Sequence, residues 1–370
     1  MRRGRTYDTA RKPRAFRFVP LWGYGVLLLY LMRRIDCRKC GVTTEVVPWA
    51  DGKEHTCHAF QLFLARWARR LSWSEVATLF GIDWSVVYAS VRWVVEYGLA
   101  HRDLDGVRAI GVDEIAVWTG HKYLTVVYQI DEGFRRLLWV GKERTEESFR
   151  GFFTTFGEHR AKALRFVASD MWKPYLNMIA EFAGQAIHVL DRFHIVAKVN
   201  KAVDEVRASE ARELSRRGFQ PVLKHTRWCF LKRPEHLTPS QSQKLSDVLR
   251  HNLRSVRAYL LKESLEVFWS YASAAHAGWY LDKWCTRALQ SRLEPMKKIA
   301  RTLRAHRPLI LNWFRAKKEI SSGSVEGMNT NAKLAIRKAR GFRTYPALET
   351  ALYHQLGRLP EPNFIAHRFC

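Results

Sequence analysis

Ala109-Ile110-Gly111-Val112-Asp113-Glu114 is an apolar run that ends in two adjacent acids. Its aliphatic and β-branched content predicts a buried strand. A carboxylate directly after such a strand is costly unless it faces a cleft or a cation. A second run of the same design, Leu164-Arg165-Phe166-Val167-Ala168-Ser169-Asp170, lies downstream. Between and around them, 107–117, 123–131, 135–140, 164–170 and 186–190 read as strands, and 146–158 and 172–183 as helices. The first three strands are joined by short turns such as Asp131-Glu132-Gly133, which suits an antiparallel meander. The later strands return through helices and so can run parallel.

That order matches a ribonuclease-H-like mixed sheet. In such a sheet the first and fourth strands are neighbours, so Asp113 and Asp170 are expected at one edge. A third acid, Glu326, opens a helical stretch in Ser321-Ser322-Gly323-Ser324-Val325-Glu326-Gly327-Met328-Asn329. Three such acids suit phosphoryl transfer: two divalent ions about 3.5–4 Å apart can clamp the attacking and leaving oxygens of a phosphodiester. Crowded carboxylates, in turn, repel unless a cation lies between them. On a helix starting near Val325, Asn329, Lys333 and Arg337 share a face with Glu326 and are candidates for DNA phosphate contacts. Spacing alone also fits blander roles, a capped surface helix for Glu326 and turn-starting acids for Asp113 and Asp170. Glu114 is expected on the face opposite Asp113. Asp191-Arg192-Phe193-His194 puts an acid, a cation and an imidazole near the same sheet edge, as a site contact or as a structural cap. His188, Trp139, Trp172, Trp228, Trp269, Trp279 and Trp284 read as core.

The 370 residues suffice for one large domain or two to three ordinary ones, and 47% hydrophobic content argues against disorder. The net charge of +27 calls for a polyanionic partner, with nucleic acid first. The basic residues are spread along the whole chain, which weighs against a membrane-surface helix. The apolar run 18–32 is too short to span a bilayer and is interrupted by Pro20, Gly23 and Gly25. It is predicted to be a hairpin turning near Gly23-Tyr24-Gly25. Six cysteines make no disulfide scaffold and no signal peptide is visible, so a reducing, cytoplasmic setting is expected.

Residues 1–58 read as a basic lobe. Cys37-Arg38-Lys39-Cys40-Gly41 is half of a zinc-ribbon knuckle, with Cys37 and Cys40 as candidate Zn²⁺ ligands. Cys57 and His58 are adjacent and suit a shared site poorly, which leaves His55 with Cys57 as the other half; a pair of reduced thiols is the plainer reading. Residues 59–105 read as a helix-turn-helix. Ser72-Trp73-Ser74-Glu75 fits a capping box, Gly81-Ile82 a turn, and Asp83 the cap of a helix from Trp84 to about Glu96. Val86, Val87, Val91 and Val94 are expected inside, leaving Ser85, Tyr88, Ser90 and Arg92 for DNA. Residues 106–192 form the first part of the catalytic core. Residues 193–320 read as a helical insertion, whose stretch 291–318 holds nine Lys/Arg against Glu294 alone. Residues 321–370 are expected to complete the core as helices.

Gly111-Val112-Asp113-Glu114, Ser169-Asp170-Met171-Trp172-Lys173-Pro174-Tyr175, Asp191-Arg192-Phe193-His194, the stretch from Ser321 to Asn329, Lys333 and Gly341-Phe342-Arg343 occur in an order that resembles the bacterial transposases of the insertion sequence L-three family. The resemblance covers nearly the whole chain. It implies a DDE transposase acting on double-stranded DNA, both element ends and target. The implied fold is a ribonuclease-H-like core interrupted by an all-helical insertion, preceded by a zinc-ribbon-like lobe and a helix-turn-helix that reads terminal inverted repeats. Asp113, Asp170 and Glu326 become the catalytic acids, holding two Mg²⁺ or Mn²⁺ ions. A homo-oligomer on paired ends and a nucleoid-associated location are expected with it, and no membrane. The family commonly carries an earlier Cys pair ahead of the hairpin, whereas here Cys37 and Cys40 stand alone. The rival readings are a non-catalytic DNA-binding protein of the same ancestry and a structure-selective nuclease that cuts without joining.

Overall fold

A computed structural model of the chain describes residues 5–37, 40–118, 122–219, 221–316, 320 and 323–363. The expectations for Arg38, Lys39, Ser321 and Ser322 fall outside these residues, as do Lys317 and Lys318 of the basic stretch. The chain divides into two compact units, Met1–Leu104 with Met328–Cys370, and Asp105–Gly327.

The first unit opens with β1 (Arg5–Thr9), β2 (Arg14–Leu21), β3 (Tyr24–Tyr30), β4 (Arg33–Cys37) and β5 (Gly41–Thr44). β4 lies between β1 and β5, antiparallel to both. β2 and β3 form the expected hairpin. Its turn is Trp22-Gly23, one residue earlier than expected, with φ of 49° and 82°. Two left-handed residues in a two-residue loop suit the right-handed twist of the flanking strands. Phe16, Val47, Ala50 and Cys57 form a small core beneath it.

α1 (His58–Ala68), α2 (Trp73–Phe80) and α3 (Trp84–His101) follow. Ser72 and Glu75 cap α2 reciprocally, Gly81 ends it at φ 60°, and the Asp83 carboxylate accepts from Ser85 N at the start of α3. α3 runs past Glu96 to His101 because nothing in Tyr97-Gly98-Leu99-Ala100 breaks it. Val87, Val91 and Val94 are buried as expected. Ser90 is buried as well, and its hydroxyl donates to Val86 O at 2.7 Å. Ser90 is three residues after Val87 and four before Val94, so it shares their inner face of the helix. Tyr88 packs on Trp73 at 5.2 Å between ring centroids. Ser85 and Arg92 remain exposed, with Arg92 3.6 Å from Glu96.

The second unit is built on β6 (Ala109–Trp118), β7 (Lys122–Asp131), β8 (Phe134–Lys142), β9 (Phe166–Ser169) and β10 (Ile187–Leu190). They form one mixed sheet in the order β10-β9-β6-β7-β8. β6, β7 and β8 make the antiparallel meander, and β9 and β10 run parallel to β6. α4 (Glu146–Phe156) follows β8, capped by Thr145, and buries Phe149, Phe152, Phe153 and Phe156 at helical spacing. The short α5 (Glu158–Lys162) leads to β9, and α6 (Lys173–Ala183) returns the chain to β10.

α7 (Arg192–Arg216), α8 (Arg227–Leu231), α9 (Pro239–Leu249), α10 (Arg254–Glu266), α11 (Ala274–Gln290), α12 (Glu294–Ala305) and α13 (Arg307–Arg315) make the helical insertion. They share one core with Phe230, Phe268, Trp284 and Met296 at its centre. Trp269 and Trp284 are buried as expected, whereas Trp228 and Trp279 are exposed.

α14 (Gly323–Lys338) carries residues of both units, and α15 (Tyr345–Leu356) belongs to the first. The boundary between the two units falls within α14, after Gly327. In the first unit Lys338 Nζ donates to Arg69 O at 3.1 Å and Gln355 Nε2 to Ala68 O at 3.1 Å. Both satisfy carbonyls at the C-terminus of α1, where a cation is favoured.

Candidate active site

β6 and β9 pair in parallel with Ala109 opposite Phe166, Ile110 opposite Val167 and Gly111 opposite Ala168. Continuing that register by two residues brings Asp113 level with Asp170. β10 lies on the far side of β9, and Asp191 follows its last residue. Three acids from three strands thus reach one sheet edge. Asp191 caps α7, its Oδ1 accepting from Phe193 N at 2.7 Å. One turn on, His194 Nε2 lies 3.8 Å from both Asp113 Oδ1 and Asp191 Oδ2. Arg192 of the same motif turns away, donating to Glu266 at 2.9 Å and stacking over Trp269, and so anchors the insertion.

Side chains alternate along β6, so Gly111 and Asp113 share one face and Glu114 takes the other. On the Gly111 face sits Val325, buried, in the first turn of α14. A Cβ at Gly111 would come within 2.4 Å of Val325 Cγ2. The glycine thus admits the start of α14 against β6, two residues from Asp113. Glu326 comes next on α14 and is exposed. Asn329 is buried and so does not share the open face of Lys333 and Arg337, which are exposed.

Arg144 organises the Glu114 face. Its Nε is 2.8 Å from Glu114 Oε1, its Nη2 donates to Asp170 Oδ2 at 2.9 Å, and its guanidinium lies 4.6 Å from the Trp172 ring centroid. Asp170 Oδ1 accepts from Trp172 N at 2.8 Å. Arg144 was not among the expected site residues. It stands in the loop between β8 and α4, and its partners are far from it in sequence, so no local pattern marks it.

Burial raises the Asp113 pKa, and the neighbouring Asp191 and Asp170 raise it further against the amide of Glu114 and His194. Burial pushes Glu114 up to about 7, with Asp170 and Asp113 adding to it. Both shifts come first from burial and only then from neighbouring acids, and a bound cation would oppose them. Asp113 and Asp170 offer oxygen donors alone, the kind a hard divalent ion takes. Among the described residues, no three His, Cys, Asp or Glu side chains are grouped to hold a metal. Glu326 is thus not drawn into one ligand set with Asp113 and Asp170.

In the first unit Cys37 ends β4 and Cys40 begins the turn after it, with Cys40 N donating to Cys37 O at 3.2 Å. The pair's expected complement is engaged elsewhere: Cys57 is in the core, His55 Nδ1 lies 3.1 Å from Ala15 O, and His58 stacks on Trp93. The described residues therefore do not complete a tetrahedral zinc site.

The transposase family model for the insertion sequence L-three group matches residues 110–352, from β6 through the helical insertion into α15. The chain belongs to that transposase family. The transposase for insertion sequence element IS1557 of Mycobacterium tuberculosis is 30% identical, covering 94% of this chain and 82% of the relative. The transposase for insertion sequence element IS1001 of Bordetella parapertussis is 28% identical, covering 89% of this chain and 81% of the relative. DDE transposases generally use divalent metal ions. Among the described residues, no helix is long and apolar enough to cross a membrane.

Proposed function

We propose that this L-three family transposase cleaves DNA at the terminal inverted repeats of an insertion sequence and transfers the freed strand to a target. The observation that carries this is the parallel pairing of β6 with β9, whose register leads Asp113 and Asp170 to matching positions at one sheet edge. The strand order and the helical insertion before Glu326 support a ribonuclease-H-like core.

Asp113 and Asp170 are the residues that would hold a divalent ion, Mg²⁺ or Mn²⁺, with Glu326 brought in from α14. A bound pair of ions supplies Lewis-acid stabilisation of the attacking and departing oxygens. The chain's own residues do the rest. Val325, seated on Gly111, carries Glu326 at the start of α14. His194 lies close to both Asp113 and Asp191. In the first step water attacks the phosphorus at the element end and the 3′ oxygen departs. In the second, the freed 3′ hydroxyl attacks a target phosphodiester in line, exchanging one P–O bond for another. Lys333, Arg337 and the basic stretch 291–318 are suited to phosphate contacts that position strands without reading sequence. Sequence reading falls to α2 and α3, with Ser85 and Arg92 on the exposed side.

The rival reading, a non-catalytic DNA-binding protein of the same ancestry, draws on the lack of a three-carboxylate group among the described residues. One experiment separates the two. The protein is incubated with a labelled duplex carrying the element end, with and without Mg²⁺. Binding, Mg²⁺-dependent nicking and joining are expected for the native chain, and binding without nicking for Asp113→Asn. Binding without nicking by the native chain, or native-like cutting by Asp113→Asn, would overturn the catalytic reading.

A further inference from the structure

Asp170 has no idle oxygen. Oδ1 accepts from Trp172 N at 2.8 Å and Oδ2 from Arg144 Nη2 at 2.9 Å. The first donor is a backbone amide fixed by the chain's path into α6. The second is a long side chain, 36% exposed, on the loop after β8. An ion that takes Asp170 therefore has to share that carboxylate with the positive charge of Arg144, which opposes it. The same guanidinium reaches Glu114, whose side chain leaves β6 on the face opposite Asp113. Arg144 thus ties Asp170 to Glu114. Trp172 provides a flat support beneath it.

We infer that Arg144 is a built-in counter-cation of the acidic site, which bridges Glu114 and Asp170 until a divalent ion displaces it from Asp170. This rests on the metal-dependent reading proposed above. It accounts for a sheet edge that carries its acids and yet lacks a ready three-ligand group. A guanidinium between the two acids offsets their mutual repulsion, through a hydrogen bond to Asp170 and an ion pair with Glu114. Released from Asp170, the guanidinium stays on its Trp172 support beside the site, where a DNA phosphate is a natural second partner. Arg144 is in this sense a positioning residue, acting through Asp170.

The test is Mn²⁺ binding by the full-length protein without DNA, measured by calorimetry and by the electron-spin-resonance signal of free Mn²⁺. Arg144→Gln should bind Mn²⁺ about three- to tenfold more tightly than the native chain, since the competitor is gone. Arg144→Lys should fall between them, because an ammonium keeps the charge but cannot bridge both acids. Asp170→Asn should lose the binding in every background. Equal affinities for the native chain and Arg144→Gln would overturn the inference while leaving the metal reading standing. An Arg144→Lys affinity equal to native would also overturn it, since bulk charge alone would then explain the effect. No Mn²⁺ binding by any form would overturn both. Far-ultraviolet dichroism of each variant checks that the fold is retained.

Discussion

Gly111 is bare because Val325 occupies the space a side chain would need. A methyl there meets Val325 Cγ2 inside van der Waals contact, and the branched side chain of a buried valine has little room to turn. Gly111→Ala should cost about 1–3 kcal/mol, read as a lowered urea midpoint. It should also reduce cleavage more than DNA binding, since α14 is lifted from the Asp113 face. Adding Val325→Ala should recover part of both losses. Two independent, additive losses would mean that the contact does not seat α14. His188 offers a second residue-scale check. It is buried beside Ser169, 2.7 Å from the hydroxyl, and burial lowers its pKa from 6.5 to about 4. The fold holds it neutral, so its contribution to stability is complete above pH 6.5 and is lost as pH falls from 6.5 toward 4. Thermal unfolding across that range should show a drop that His188→Gln flattens. An unchanged pH slope in the variant would exclude His188 as its source. The places of Asp113 on β6 and of Asp170 just after β9 are legible in sequence, because an apolar run ending in an acid is a local pattern. Arg144 and the burial of Asn329 are not, since both depend on contacts that short-range spacing does not encode.

At the scale of elements, the mixed sheet is readable because its two connection types differ in length. Short turns force β6, β7 and β8 antiparallel, and the helices α4 and α6 bring β9 and β10 back parallel. The capped helices α2 and α3 are equally readable from Ser72, Glu75, Gly81 and Asp83. Ser90 is polar by type but inward by helical phase, and phase decides its place. The insertion is harder, since its helices are closed by side chains from remote helices. Glu210 of α7 is the clearest case. Its carboxylate accepts from Arg254 N at 2.8 Å and Ser255 N at 2.7 Å, capping α10 from 44 and 45 residues away. Glu210→Ala would strand both amides beneath a buried surface. It should cost about 1–3 kcal/mol and raise hydrogen exchange at the start of α10 before that of the sheet. Unaltered exchange at Arg254 and Ser255 would show that the cap is dispensable.

At the scale of the whole molecule, the net charge of +27 and the family membership point the same way, to DNA. What length and composition do not reveal is where the chain divides. α14 is one uninterrupted helix, so nothing local marks Gly327 as the end of the sheet-bearing unit. The account depends on acids 57 positions apart on β6 and β9, joined by one far downstream on α14, acting on a common metal. Crystals of the protein grown with Mn²⁺ would locate the ion by its anomalous scattering. The account predicts a peak about 2.0–2.2 Å from carboxylate oxygens of both Asp113 and Asp170, with Arg144 turned off Asp170 and Glu326 drawn toward the ion. Manganese bound elsewhere on the chain, with Asp170 still held by Arg144 at saturating Mn²⁺, would contradict it.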